Sequence, residues 1–290
     1  TGKLVLYADE ASFAAARQQM ALQHQLGSVQ HALSPAESVA VEPALAGYAP
    51  RFAGAIHTPS ECAADCHKVC VALMQLLREQ GVRFLLDTPV TQLLRRGSQV
   101  VAADTPQGPV QADAFVVALG SASHPMARSL GLRVPVYPLK GYSLTVDVSD
   151  APGAAPRVNV TDAARKVVFA RLGQRMRVAG MAELVGENTH IPADRIDSLV
   201  ASARALFPHA SDYQDVRPWA GLRPATPTAL PVIGRLRGGP SNAWFNIGHG
   251  ALGFTLAFGS AQRLVAQMRE HHASRLSQPT GPAKPAACSA

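Results

Sequence analysis

Residues Ala114-Phe115-Val116-Val117-Ala118-Leu119 form an unbroken apolar run closed by Gly120. A run this short, without polar alternation, suits a strand covered on both faces, as in layered α/β folds. The upstream sequence has the texture such a strand needs. Residues 3–7 read as a strand, and 13–25 as a helix capped by Asp9 or Ser12. Ser34-Pro35-Ala36-Glu37 carries the Ser-x-x-Glu pattern of a capping box and opens a short helix. Residues 65–80 place Val69, Leu73, Leu76 and Leu77 at helical spacing, and Gly81 stops them. Strand-like runs follow at 82–86, 90–94 and 99–103, and the apolar run ends a further one at 111–119.

The texture then changes. Stretches 134–148, 157–160, 166–171 and 175–179 are strand-like pieces joined by Gly, Pro, Asn and Asp, as in an antiparallel sheet. A helix is expected over 196–207 and strands over 212–219 and 243–247. A second helix spans about 252–268, and a disordered tail is expected over 271–290. The fold class is therefore mixed α/β and α+β, with two domains woven together from separate stretches. One takes residues 1–54 and 130–211, the other 55–129 and 212–270.

Composition excludes several classes. With 47% hydrophobic and 16% charged residues the chain is globular, and no stretch approaches a membrane span. The net charge of +7 comes from scattered arginines, without the basic run or helix face of a nucleic-acid binder. It fits weak attraction to anionic substrates or an anionic membrane surface. Cys62, Cys66 and Cys70 recur every four residues beside His67. A metal site would need a second ligand pair at the right spacing, so the expectation is no metal and cysteines lining a packed helix face. The compartment reads as reducing. The chain opens at Thr1-Gly2 directly into a strand, which suggests a natural chain that begins earlier.

Four segments are candidates for chemistry. Gly248-His249-Gly250-Ala251-Leu252-Gly253 follows a strand and opens a helix, fitting Gly-x-Gly-x-x-Gly. Glycines there let backbone approach a ligand, and free N–H groups at the helix start attract electron-rich atoms. A complete dinucleotide unit needs another strand beyond the helix, which this chain lacks; a packing turn is the bland alternative. Arg223, in Gly221-Leu222-Arg223-Pro224, is placed to clamp a carboxylate bidentately or to make a structural ion pair. Tyr137 and Tyr142, around Lys140-Gly141, are pocket-wall or edge-strand residues. Gly120 ends the apolar strand where an α/β sheet meets its ligand. No P-loop, His-Glu-x-x-His or Gly-x-Ser-x-Gly is present, so kinase and hydrolase readings have no support.

Taken together, the phrases Val41-Glu42-Pro43-Ala44-Leu45, Tyr137 to Thr145, Gly180 to Gly186, Gly221 to Pro224 and Gly248 to Gly253 resemble the FAD-dependent D-amino acid oxidoreductase superfamily. Within it they are most similar to the D-amino acid dehydrogenase branch, over residues 2–268. The resemblance implies a partial FAD-binding, Rossmann-like domain interleaved with an antiparallel-sheet substrate domain. Arg223 falls on the arginine that binds the substrate carboxylate. Gly248, His249, Gly250, Ala251, Leu252, Gly253 and Thr255 fall against the flavin, Val90 on the adenine side, and Gly120 under the cofactor. Tyr137 and Tyr142 become candidates for the pocket wall.

The implied reaction is oxidative deamination of a D-amino acid, with a hydride passing from Cα to flavin N5 and the imine hydrolysing to a 2-oxo acid and ammonia. Electrons then go to a quinone-type acceptor. The implied place is the cytoplasm, with peripheral association at the inner membrane face as a variant. Two alternatives stay open: a glycine-, sarcosine- or proline-type secondary-amine oxidoreductase, and a truncated remnant without catalysis. Two departures stand out. The family's N-terminal strand–Gly-x-Gly-x-x-Gly–helix has no counterpart within residues 1–290, and Thr228-Ala229 stands where the family usually has Asp-Gly.

Overall fold

A computed structural model of the chain describes residues 2–148 and 153–276. In chain order it contains β1 (Lys3–Tyr7), α1 (Glu10–Gln25), β2 (His31–Leu33), α2 (Pro35–Val41), β3 (Gly54–Thr58) and α3 (Cys66–Glu79). Next come β4 (Gln92–Arg96), β5 (Gln99–Asp104), β6 (Phe115–Val117) and α4 (Ser123–Ser129). β7 (Tyr137–Asp147), β8 (Asn159–Asp162), β9 (Val167–Leu172), β10 (Arg175–Glu183) and α5 (Ala193–Leu206) follow. The chain closes with β11 (Arg217–Ala225), β12 (Val232–Gly234), β13 (Ala243–Ile247) and α6 (Gly253–Leu276). Two compact units divide it: residues 1–84 with 138–222, and 85–137 with 223–290.

The first unit is built on an eight-stranded sheet, ordered β11-β7-β10-β9-β8-β1-β3-β2. From β7 to β2 its pairings are antiparallel except for β1 beside β8, where Lys3 to Leu6 run parallel with Asn159 to Asp162. Strand β10 shows why these residues form a half-buried sheet. Met176, Val178 and Gly180 point inward and alternate with partly exposed neighbours, the period of two that a one-sided core demands. Helix α5 lays Leu199, Ala203 and Leu206 on that core, and Phe207 meets Phe169 edge-on at 5.3 Å. The capping box at Ser34 and Glu37 forms as its spacing predicts.

Glu42, in the first of the family-like phrases, is fully buried and accepts from the backbone N–H groups of Arg157 (2.5 Å), Val158 (3.0 Å) and Ala44 (3.2 Å). It pins the α2 segment to the strand that becomes β8. Glu42→Ala leaves these donors unpaired, so the urea midpoint should fall by the equivalent of about 2 kcal/mol. A midpoint unchanged from wild type would remove this role from Glu42.

The second unit holds a three-stranded sheet, β12-β13-β6, and the β4-β5 hairpin. Strand β6 runs parallel to β13, with Phe115, Val116 and Val117 beside Ala243, Trp244 and Phe245. Its core gathers Phe115, Val117, Met126, Leu130, Phe245 and Ile247.

Several expectations need correction. The strand expected over 111–119 is confined to Phe115–Val117. It is covered on one face only, since Val116 is 46% exposed while Phe115 and Val117 are buried. Residues 82–86 form no strand, because a strand exists only where a neighbour takes up its backbone hydrogen bonds. Helix α3 forms as its spacing predicts, yet it buries no residue, and Cys62, Cys66 and Cys70 are free and exposed. A stripe at helical spacing creates a face; burying it takes a second layer, which the described residues do not supply there. Helix α6 runs on to Leu276, through the start of the expected tail, whose remainder at 277–290 lies outside the described residues.

Candidate functional site

Three of the singled-out segments meet in the second unit. Strand β13 delivers the chain into Gly248, whose φ of +79° only glycine adopts without strain. A Cβ there would stand 2.6 Å from Thr226 Cγ2 and 3.5 Å from Val136 Cγ2. Two residues on, a Cβ at Gly250 would come 4.0 Å from the Ala225 backbone. Beyond β6, a Cβ at Gly120 would touch Pro224 Cγ at 4.0 Å. The arginine loop 223–226 therefore packs against both the turn after β6 and the glycine turn after β13. Neither Thr226 nor Val136 was singled out by sequence, because small packing residues carry no chemical signal.

The glycine turn passes through a single 3-10 turn (Gly250–Leu252) into α6. Ala251, Leu252 and Thr255 are exposed, and Gly253 is the first residue of the helix. The first N–H groups of an α-helix have no partner within it, so this end offers donors to a ligand. His249 does not point a free ring outward: its Nε2 lies 2.8 Å from Ser260 Oγ, which ties the turn to α6. Burial holds its pKa below the ordinary histidine value, favouring the neutral ring. Asn246, at the end of β13, has a buried Oδ1 without a hydrogen-bond partner among the described residues. A glycine cradle beside an unsatisfied amide oxygen and a helix start fits a group with both donors and electron-rich edges, as a flavin has.

Arg223 is half-buried, and burial lowers its pKa from the ordinary arginine value while leaving it a cation. Strand β11 carries Trp219, Gly221 and Arg223 on one face. In the first unit the Trp219 indole lies over Gly221, where a Cβ would come within 2.0 Å of the ring. Arg177 covers that indole at 5.0 Å.

The Thr-Pro stretch that follows closes through Ala229 N–H donating to the Thr226 carbonyl at 3.1 Å. Ala229 sits at φ +57°, the left-handed region suited to glycine. The turn thus keeps a glycine-type backbone with alanine in it. Ala229→Gly should raise the thermal midpoint by the equivalent of about 0.5–1 kcal/mol, the relieved strain exceeding the added chain entropy. A lower midpoint would refute the strain.

The remaining sequence candidates are placed differently. Val90 is exposed on the coil leading into β4, and Tyr137 is exposed at the start of β7. Tyr142, in the first unit, is fully buried; its hydroxyl donates to Glu183 Oε2 at 2.5 Å. Arg195 holds the other Glu183 oxygen at 2.7 Å. Lys140, also buried, donates to the His190 carbonyl at 2.5 Å and sits 4.9 Å from the Tyr142 ring centroid. The Tyr142 hydroxyl, then Arg195, keeps the Glu183 carboxyl below its ordinary pKa. A register shift between Gly180 and Glu183, with Met181 at φ +64°, brings Glu183 opposite Lys140. Lys140 and Glu183 both lie in the family-like phrases, which is the signal that finds them. Among the described residues no group of three or more His, Cys, Asp or Glu could hold a metal ion. No described helix is long and apolar enough to cross a membrane.

Residues 1–268 match the family model described as FAD dependent oxidoreductase, DAO. The chain belongs to this FAD-dependent oxidoreductase family. Among DAO-family relatives it is 48% identical over 275 residues to D-amino acid dehydrogenase 2 of Ralstonia nicotianae, covering 91% of this chain and 64% of that protein. It is 44% identical over 268 residues to D-amino acid dehydrogenase 2 of Pseudomonas aeruginosa, covering 92% and 62%. The chain thus spans somewhat less than two thirds of the length of these relatives. Its fold matches the crystal structure of L-proline dehydrogenase from P. horikoshii with a TM-score of 0.84 at 17% identity, covering 93% of this chain and 72% of that one. Glycine oxidase from Geobacillus kaustophilus matches with a TM-score of 0.84 at 21% identity, covering 93% and 71%. At such identities the likeness establishes the DAO fold and nothing finer.

Proposed function

We propose that this chain carries the substrate-binding and isoalloxazine-side portions of an FAD-dependent enzyme that oxidatively deaminates D-amino acids. The observation that carries the reading is the packing of the Arg223 loop against the Gly120 and Gly248–Gly250 turns. The named relatives, at 48% and 44% identity, support the substrate class. In this reading the second unit is what the chain has of the FAD domain, and the first unit is the substrate domain.

Arg223 holds the substrate carboxylate through a planar, two-pronged hydrogen bond, strengthened by its partial burial. That grip orients Cα. The glycine turn, with Gly248 packed on the arginine loop and no side chain at Gly250, lets a flat ring lie against the chain, and the start of α6 offers N–H donors to its electron-rich edge. His249, neutral and tied to Ser260, fixes the turn without adding charge. The Tyr142–Glu183–Arg195 chain stiffens the strands β7 and β10 in the first unit. Bound FAD supplies the two-electron acceptor, and the protein supplies orientation and exclusion of water. The electron acceptor in this reading is a quinone, reached from the cytoplasmic side by peripheral membrane contact.

The test is spectroscopic. FAD is added to the purified protein without oxygen, and the flavin absorbance is followed after D-alanine, L-alanine or sarcosine. Bleaching by D-alanine alone supports deamination of D-amino acids. Bleaching by sarcosine alone transfers the assignment to secondary amines, and a protein that binds no flavin sinks both. Faster reoxidation by a short-chain quinone than by dioxygen supports the acceptor.

A further inference from the structure

Apart from every residue assigned above, the first unit contains an open cavity of about 370 Å³ whose walls include Ala8, Tyr48, Arg51, Phe52, Asp162 and Arg165. It lies at the carboxyl ends of β1 and β8, the parallel pair of the eight-stranded sheet. Leu6 stands opposite Asp162 there.

The charges in this cavity do not cancel. Asp162 is 4% exposed, and its carboxylate is fully engaged. Oδ1 accepts from the Arg165 N–H at 3.0 Å, and Oδ2 from Arg165 Nη1 at 2.6 Å and the Tyr48 hydroxyl at 3.2 Å. Arg165 Nη1 also donates to the Tyr48 hydroxyl. One carboxylate is thus consumed by one guanidinium, whose other nitrogens have no partner among the described residues. Arg51 brings a second cation. Its guanidinium makes no hydrogen bond or ion pair among the described residues and contributes only a contact with the Tyr48 ring, 5.8 Å from its centroid. The Arg165 guanidinium lies 5.8 Å from the same centroid. Tyr48 and Phe52, stacked at 6.3 Å, add an apolar wall. Two forked donors around one ring, one of them uncommitted, match a planar or tetrahedral oxyanion on a small organic body. The volume is at the lower end of small-molecule sites.

We infer that this cavity binds a small organic oxyanion, a carboxylate or a phosphate ester, gripped between Arg51 and Arg165 against Tyr48. The site is independent of the flavin reading and stands or falls without it. Its test is calorimetric titration of the purified protein with succinate and with glycerol 3-phosphate, at ionic strength fixed by sodium chloride. Saturable, one-to-one binding of either is expected, and the tighter of the two identifies the headgroup. Arg51→Met should weaken it at least tenfold while leaving the thermal midpoint unchanged, since the Arg51 guanidinium makes no hydrogen bond among the described residues and the backbone bond to Tyr48 is kept. Arg165→Lys should weaken it as well, and if that variant fails to fold, Arg51→Met alone decides. Binding within twofold of wild type in Arg51→Met, or no saturable binding of either anion, overturns the inference.

Discussion

Arg223→Met is expected to raise KM for a D-amino acid by about two orders of magnitude, the equivalent of losing one partner of a partly buried ionic hydrogen-bonded pair, about 3 kcal/mol. Methionine nearly matches the length and apolar bulk of the arginine side chain, so the substitution leaves no large void at this half-buried position. What disappears is the charge and the fork. The flavin spectrum should stay as in wild type, because Arg223 is assigned to the substrate. Arg223→Lys restores the charge without the fork and should recover only a fraction of the affinity. A KM unchanged in Arg223→Met, with turnover intact, would remove the carboxylate from this residue and with it the strongest chemical link to amino-acid substrates.

Gly248→Ala should destabilise the second unit by about 2–5 kcal/mol, combining left-handed backbone strain of about 1–2 with overpacking of about 1–3. The strain comes from φ +79° and the overpacking from a methyl 2.6 Å from Thr226 Cγ2. The two causes separate in a double-mutant cycle. Thr226→Ser removes the opposing methyl but keeps the hydroxyl that donates to the Leu230 carbonyl at 2.9 Å. In that background Gly248→Ala should cost about 1–2 kcal/mol, the backbone share alone. Equal losses in both backgrounds would mean that the arginine loop does not rest on the glycine turn. Flavin affinity, measured by fluorescence, should fall with the single variant, since relieving the clash with Thr226 shifts the glycine turn that would lie against the ring.

Much of this site can be read along the chain, because its signals are local. Glycines at 248, 250 and 253 between a strand and a helix announce a backbone-lined surface whatever surrounds them, as left-handed φ and close approach are properties of the residue itself. The capping box at Ser34, the helix over 65–80 and the strand at 243–247 are legible for the same reason: spacing within one turn or one pleat sets them. The family-like phrases likewise name Glu42, Lys140 and Glu183 without saying what they do. In the fold, Glu42 holds backbone N–H groups more than a hundred residues away in sequence. Lys140 and Glu183 are set opposite one another by a bulge.

Burial is where reading along the chain stops. Val116 sits in an all-apolar run and is exposed; Tyr142 sits among polar neighbours and is wholly buried, its hydroxyl spent on Glu183. The cysteines of α3 line up as a packed face would and are exposed. Periodicity states which residues share a face, while only the arrangement of distant segments decides whether another layer covers it. The same holds for the cavity around Tyr48. Its arginines, 51 and 165, are unremarkable members of a scattered positive charge until β1 and β8 run side by side and place them around one ring. Local steric and hydrogen-bonding preferences are written in each stretch of chain. The cover of an apolar face and the meeting of two charges depend on long-range packing, which no single stretch encodes.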